Sequence, residues 1–390
     1  MRVLVLHSRY LSGAVSGENR VVDDEVRLLR EGGHEVNVFF PPRRAGRTFG
    51  AIQEGLSAVW SRAAVEHVQQ VVKRERPDVV HCHNLFPALS PGVLRAAGSA
   101  GAAVVMTLHN YRLICLPSTL LRKGRVCEDC LGRLPWRGVV HRCYRGSAAA
   151  SASLATSIGV HRALGTYERV DLYLAVSEFM RTKHIEMGIA PERVVTKSNF
   201  AWSTARRDGP GDYFVFAGRL SPEKGVWPLL AAWRHLTLPL LVVGDGPDRD
   251  ALQASAPKSV AFRGALAPDE MPALLARARA LIVPSLWYEG APRILLEAYA
   301  AGVPVLASRI GALPELVEHG ASGLLFPPND VEALAAGVTR LADDGESERL
   351  GEGAWQLWRE RFTPERGLKE LEACYRRPLD HEVGQRRPAA

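Results

Sequence analysis

The chain has 390 residues, 47% hydrophobic and 23% charged, an ordinary globular composition long enough for two domains. No apolar run reaches the ~18–20 residues that span a bilayer, and MRVLVLHSRY is too short an apolar stretch for a secretion signal, so a cytoplasmic location is expected. Residues 1–205 carry 27 Lys and Arg against 17 Asp and Glu, a net of +10, whereas residues 206–390 carry 22 against 25, a net of −3; such a bias suits an anionic partner or mere solubility.

In chain order, VLVLHS (3–8) reads as a strand, and residues 20–32 as a helix with Val21, Val22, Val26, Leu28 and Leu29 on its apolar side and Gly32-Gly33 as its stop. EVNVFF is a second strand. A long helical segment over 51–76 leads into the strands DVVHCH, AAVVMTLH and DLYLAVS. The second half repeats the pattern with YFVFAG, LPLLVVG, VAFRG, ALIVPS and VPVLAS. Apolar strands alternating with helices imply parallel, doubly wound sheets, hence two Rossmann-like α/β domains facing across a cleft. The Gly- and Pro-rich stretch at about 201–211 is the linker, and the domains are placed at 1–203 and 204–360. A polar, Pro- and Arg-rich tail over 377–390 reads as disordered.

Ligands of such sheets bind beyond the carboxyl ends of strands. After YFVFAG comes RLSPEKG, whose Arg219 and Lys224 suit a diphosphate; two solvated cations are the plainer alternative. After ALIVPS comes LWYEGAPRILLEAYAAG, a loop followed by a helix with Pro292 in its first turn and Gly302 at its end. The amides of Arg293, Ile294 and Leu295 are then free for a phosphate. Glu289 lies in the loop, and Glu297 sits one turn in among Leu295, Leu296, Ala298 and Tyr299. A buried carboxylate needs hydrogen-bond donors. Ribose hydroxyls would serve Glu297, and pairing with Arg293 is the plainer alternative. In the first half, LSGAVSGENR brings Gly13 and Gly17 to the head of a helix without the G-x-G-x-x-G spacing, and VMTLHNY places His109 directly after a strand.

WYEG-P-x-x-LLEA-x-A-x-G-x-PV, FAGRLSPEKG, VGDGPDRDAL, FRGAL and GALPELVEHGASGLLFPPND, in this order, resemble the retaining glycosyltransferases of family four, the group 1 enzymes of GT-B fold. The likeness runs from Met1 to about Tyr375. It implies transfer of a sugar from a nucleotide-diphosphate donor, with UDP-sugars favoured, to a hydroxyl acceptor. That acceptor is a natural-product intermediate such as an antibiotic aglycone, or a cell-envelope glycan or lipid. Carried over, Arg219 and Lys224 neutralise the diphosphate, Glu297 holds the ribose, and Glu289 with Gly290 and Ala291 contacts the sugar. Phe262, Arg263 and Gly264 line the base. The helix start Pro292–Leu295 faces the phosphate, Gly17 approaches it from the first domain, and His109 lies near sugar and acceptor. The family's glycine pair stands here as Ser16-Gly17. The resemblance also implies no catalytic metal, same-face attack with the departing phosphate as base, and a helix at 361–376 crossing back to the first domain. Asp248-Arg249-Asp250 reads as a helix start rather than a metal ligand.

C-x11-C-x2-C-x12-C (Cys115, Cys127, Cys130, Cys143) in an insertion at 112–146 departs from the family pattern; structural zinc and buried free thiols are both open. Arg112–Arg145 holds eight Lys and Arg plus His141 against Glu128 and Asp129, so this loop is expected at the acceptor side or on an anionic membrane at the inner face. A nucleotide-sugar epimerase of the same fold and a nucleic-acid module built on the cysteine loop are the alternatives. The latter lacks a basic stretch interleaved with aromatics and gives no reason for Glu289 and Glu297, so no nucleic-acid partner is expected.

Overall fold

The computed structural model describes residues 1–9, 17–41, 57, 59–86, 88–267 and 269–384. The loop bearing Gly13, and residues 51–56 and 58 of the expected 51–76 helix, lie outside the described residues. Two six-stranded, all-parallel sheets carry the fold. The first comprises β1 (Arg2–Leu6), β2 (Glu35–Phe39), β3 (Val79–Cys82), β4 (Ala103–Leu108), β7 (Leu172–Ala175) and β8 (Val194–Thr196), in the order β2-β1-β3-β4-β7-β8. Between β4 and β7 the cysteine loop adds a two-residue antiparallel hairpin, β5 (Leu121–Arg122) with β6 (Arg125–Val126). The second sheet comprises β9 (Tyr213–Ala217), β10 (Leu240–Val243), β11 (Val260–Arg263), β12 (Ala278–Val283), β13 (Val305–Ser308) and β14 (Gly323–Phe326), in the order β11-β10-β9-β12-β13-β14. Counted from β9 this order is 3-2-1-4-5-6, with its switch point between β9 and β12. The loops after these two strands are the ones that carry Lys224 and Glu289.

Strands so apolar need cover on both faces, and helices provide it. In the first domain these include α1 (Gly17–Glu31), α2 (Arg62–Glu75), α3 (Trp136–Val140), α4 (Ala148–Ala163) and α5 (Glu178–Glu186). In the second they include α6 (Arg293–Ala300) and α7 (Asp344–Arg361). The helix expected over 51–76 is interrupted. Residues 57 and 59 are helical, Trp60 and Ser61 leave the helix, and α2 begins at Arg62. Stacking of Trp60 on His161, and the bond from the Ser61 amide to Ser90 Oγ, hold the break.

The last helix, α8 (Pro364–Gly384), leaves the second domain and lays Leu371, Cys374 and Tyr375 into the first domain's core, against α1, β4 and β7. The disordered tail expected over 377–390 is corrected in part, because α8 continues through Pro378 to Gly384. Leu379 packs against the same core, and that apolar anchor outweighs the amide hydrogen bond that Pro378 cannot make. No helix among the described residues is long and apolar enough to cross a membrane.

Candidate functional site

Backbone packing at the switch point leaves no room for side chains. A Cβ at Gly244 would stand 1.9 Å from the carbonyl oxygen of Gly218, and one at Gly225 would stand 1.8 Å from that of Pro284. The loops after β9, β10 and β12 therefore touch main chain to main chain, which fixes the heads of all three strands. Within this frame Lys224 Nζ lies 2.8 Å from Glu289 Oε1 and 5.0 Å from the centre of the Trp287 ring. Ser285 Oγ donates to the same carboxylate oxygen at 2.6 Å. Glu289 is buried, and its carbonyl accepts the Ala312 amide. Residues read separately as a diphosphate cation and a sugar-binding carboxylate thus form one ion pair. Arg219 is exposed, with no ion pair among the described residues.

Pro292 takes the N-cap position of α6 rather than its first turn. The Leu295 amide, expected free, bonds to the Pro292 carbonyl at 3.1 Å because the first turn is tight; those of Arg293 and Ile294 find no acceptor among the described residues. Glu297 pairs with Arg293, Oε1 to Nε at 2.9 Å. Arg293 also contacts Asp24 of α1, which lies 3.6 Å from Arg20 and accepts a hydrogen bond from Trp202. The plainer alternative for Glu297 is thus what the geometry contains, and it spans both domains. Burial pushes the Glu297 carboxyl above its ordinary value, against the pull of Arg293.

At the end of β11, Phe262 packs against the core, Arg263 is exposed, and Gly264 lies beside the Arg249 guanidinium. The helix expected after VGDGP spans Arg249–Ser255, and the Asp248 carboxylate accepts from Trp227 instead of capping it. Gly17 opens α1, and among the described residues nothing lies within 4 Å of a would-be Cβ there.

The first domain meets this site through Gly290. A Cβ there would stand 2.6 Å from Met180 Cε and 3.4 Å from the His109 carbonyl, while Tyr288 packs edge-on against Phe179. His109 therefore lines the cleft wall opposite the Glu289 loop. It also borders a small cavity of ≈ 30 Å³, along with Glu18, His83, Asn110, Arg112 and Tyr167. Burial, partly opposed by Glu25, pushes the His109 imidazole down to about 3. Behind it lie residues the sequence reading passed over: Glu25, His81, His83 and Lys197, all buried. Burial disfavours the Glu25 charge, yet the Lys197 ammonium outweighs this and holds its carboxyl below the usual range. The signals were present, as Glu25 shares the inner face of α1 with Val22 and Leu29, and H-C-H at 81–83 places two imidazoles on one side of a strand.

Burial also lowers His81 and His184 to about 4 and His83 well below its ordinary value. For a base held neutral in the fold, the unfolded chain binds more protons once the pH drops below 6.5. Stability should therefore fall on acidification from about pH 6.5 towards 4, by roughly 1 kcal/mol per pH unit for each imidazole. Urea titrations at pH 7, 6 and 5 check this, and a flat profile would refute it.

Four thiols occupy the cysteine loop. Cys115 and Cys130 are buried, Cys127 and Cys143 half-buried, and all are free. Among the described residues the group of three or more potential ligand atoms mutually within 4.8 Å is Glu25, His81 and His83; the four cysteines do not form one. The loop holds Ser118, Leu120, Lys123, Arg142 and Arg145 at positive φ, a strained path kept by burial of Ile114, Cys115 and Leu120 in the first-domain core. The loop exposes Leu134, Trp136 and Val140, and the arginines next to them in sequence, Arg133, Arg137, Arg142 and Arg145, are exposed as well.

Residues 15–200 match the model of the family described as Glycosyltransferase Family 4, and residues 211–344 match that of Glycosyl transferases group 1. The glycogen synthase of Mycobacterium tuberculosis (strain CDC 1551 / Oshkosh) is 40% identical over 148 residues, covering 35% of each chain. The 2-deoxystreptamine glucosyltransferase of Streptomyces kanamyceticus is 28% identical over 324 residues, covering 78% of this chain and 77% of that one. Among solved structures, Anabaena Alr3699/HepE in complex with UDP and glucose superposes with a TM-score of 0.65 at 19% identity, covering 95% and 98% of the two chains. The chain spans about a third of the length of the synthase it matches at 40% identity.

Proposed function

The chain belongs to the group 1 glycosyltransferases, and from this we propose that it moves a sugar from a nucleotide-diphosphate donor, with UDP-sugars favoured, to a hydroxyl acceptor with retention. The observation that carries the reading is the Lys224–Glu289 pair, set beside the first amides of α6 at the switch point of the second sheet. Lys224, Arg219 and the amides of Arg293 and Ile294 neutralise the diphosphate as the glycosidic bond lengthens. Once phosphate oxygens engage Lys224, Glu289 is free to accept from sugar hydroxyls. Glu297, with Arg293 on one oxygen, offers the other to the ribose. The acceptor attacks from the face the diphosphate leaves, and the departing phosphate takes its proton. This chemistry uses no metal ion. Titration with UDP, GDP and ADP tests the donor site. One nucleotide should bind in the micromolar range, and Glu297→Ala and Lys224→Ala should each weaken it tenfold or more. Equal binding by both variants would refute the assignment. Product analysis with and without acceptor separates transfer from epimerisation.

For the acceptor, the broad cover of the 2-deoxystreptamine glucosyltransferase supports a small natural product. The surface of the cysteine loop favours a second reading, a lipid-borne acceptor reached at an anionic membrane. Trp136 is 50% exposed and Val140 78%, exposed arginines adjoin them in sequence, and Leu134 reaches Gly159 of α4, a helix that also exposes Val160. Exposed apolar residues with arginines next to them in sequence fit the headgroup boundary of anionic lipid, at about 1 kcal/mol per basic residue. Co-sedimentation should show binding to phosphatidylglycerol-containing vesicles and not to phosphatidylcholine alone, with at least a tenfold loss in Trp136→Ala/Arg137→Glu. Equal partitioning of variant and wild type would remove the membrane reading. The six free thiols and the use of a nucleotide sugar support a reducing, cytoplasmic compartment for this reading.

A further inference from the structure

The polar groups buried behind His109 form a connected string that the chemistry above does not use. Glu25 Oε1 pairs with Lys197. Glu25 Oε2 lies 3.6 Å from His83 Nε2, and both atoms are buried with no hydrogen-bond partner among the described residues. His83 Nδ1 stands 2.8 Å from His109 Nε2, and the two rings stack at 17°. His81 is engaged on both sides, with Nε2 2.7 Å from Thr107 Oγ1 and Nδ1 2.8 Å from the Tyr375 hydroxyl. The Lys197 ammonium on Glu25 disfavours a second cation, so Glu25, His81 and His83 do not read as a metal site.

The string fixes where protons sit. A neutral imidazole has one N–H and one lone pair. Facing a buried carboxylate, Nε2 of His83 is favoured as N–H, because a lone pair there would be repelled in a low dielectric. His83 Nδ1 is then an acceptor. The 2.8 Å contact needs one donor, so His109 carries its proton on Nε2. Its Nδ1 is left bare, on a ring that borders the cavity and the Gly290 loop.

We propose that Glu25, anchored by Lys197, sets the tautomers of His83 and His109 in series, so that His109 meets a ligand in the cleft as a hydrogen-bond acceptor through Nδ1. Glu25 and His83 are positioning residues, and the ligand group is a hydroxyl. Only the identity of that hydroxyl, as belonging to sugar or acceptor, rests on the transferase reading; the tautomers do not. Burial keeps both imidazoles neutral near pH 7, as the scheme requires.

Imidazole nitrogen NMR on histidine-labelled protein, assigned with His83→Gln and His109→Asn, reads this directly and needs no substrate. Both rings should show a protonated Nε2 and a bare Nδ1. In Glu25→Leu/Lys197→Met, which removes both charges together, the His83 proton should move to Nδ1 and that of His109 to Nδ1 with it. If that pair does not fold, Glu25→Gln, which keeps an acceptor for Lys197, should show a detectable Nδ1–H fraction on His109. A wild-type His109 protonated on Nδ1, an imidazolium at pH 7, or a folded Glu25 variant with His109 unchanged would each overturn the proposal.

Discussion

Replacing Lys224 with alanine should lower kcat/KM for the nucleotide sugar by about 10²–10³-fold, roughly 3–4 kcal/mol of transition-state stabilisation. In the proposed mechanism the ammonium stands where charge develops on the leaving diphosphate, and its place is fixed by backbone that admits no side chain at Gly225 or Gly244. Lys224→Ala also strands Glu289, a buried carboxylate left with Ser285 as its side-chain donor. Thermal melts of Lys224→Ala and of Lys224→Ala/Glu289→Gln separate the two effects. The double variant should recover stability without recovering turnover. Lys224→Arg keeps the charge but places a planar fork where a compact ammonium fits, so an intermediate loss is expected. A change of less than about threefold in Lys224→Ala would mean that the diphosphate lies elsewhere.

The largest effect on stability is expected at Lys197. Its side chain is 2% exposed and pairs with Glu25 across a sequence separation of 172 residues. Lys197→Ala leaves a buried carboxylate among imidazoles and should cost about 3–5 kcal/mol. Glu25→Leu/Lys197→Met removes both charges and should restore most of that loss, since well-packed apolar replacements of buried pairs are often neutral. The pairing holds the Glu25 carboxyl below its unfolded value of 4.5. Its contribution is therefore complete above that pH and fades as the pH falls through the lower folded value. Urea unfolding at pH 7 and pH 4 measures both effects. A Lys197→Ala protein within 1 kcal/mol of wild type would show that water reaches the pair.

The architecture was readable because parallel strands buried on both faces are unbroken apolar runs, and the loops after YFVFAG and ALIVPS carry charge where the runs stop. Short strands escaped notice. Val194–Thr196 has three residues, and Gly323–Phe326 hides inside a motif read for its glycines. Partnerships were less readable than positions. Nothing local joins Lys224 to Glu289, which lie 65 residues apart. The i,i+4 pairing of Arg293 with Glu297 was local and legible as the plainer alternative, but a carboxylate in an apolar helix invites a ligand before a neighbour. Asp24, Glu25 and Lys197 were missed for a shared reason: a charged residue in an ordinary helix or a polar linker gives no sign of burial until a distant partner folds over it.

The reach of α8 back to β4 and β7 bears on how the molecule is made. The strands β4 and β7 gain Leu371 and Tyr375 as cover only after the second domain has been made. The first domain, although synthesised first, cannot finish its core until the second domain has followed it. It must wait with apolar strand surface uncovered while about 180 further residues emerge at ~5–20 per second. A nascent chain stalled before Leu371 should therefore hold a first domain that proteases cut and chaperones retain, and release of the last helix should act as the latch that ends this exposure.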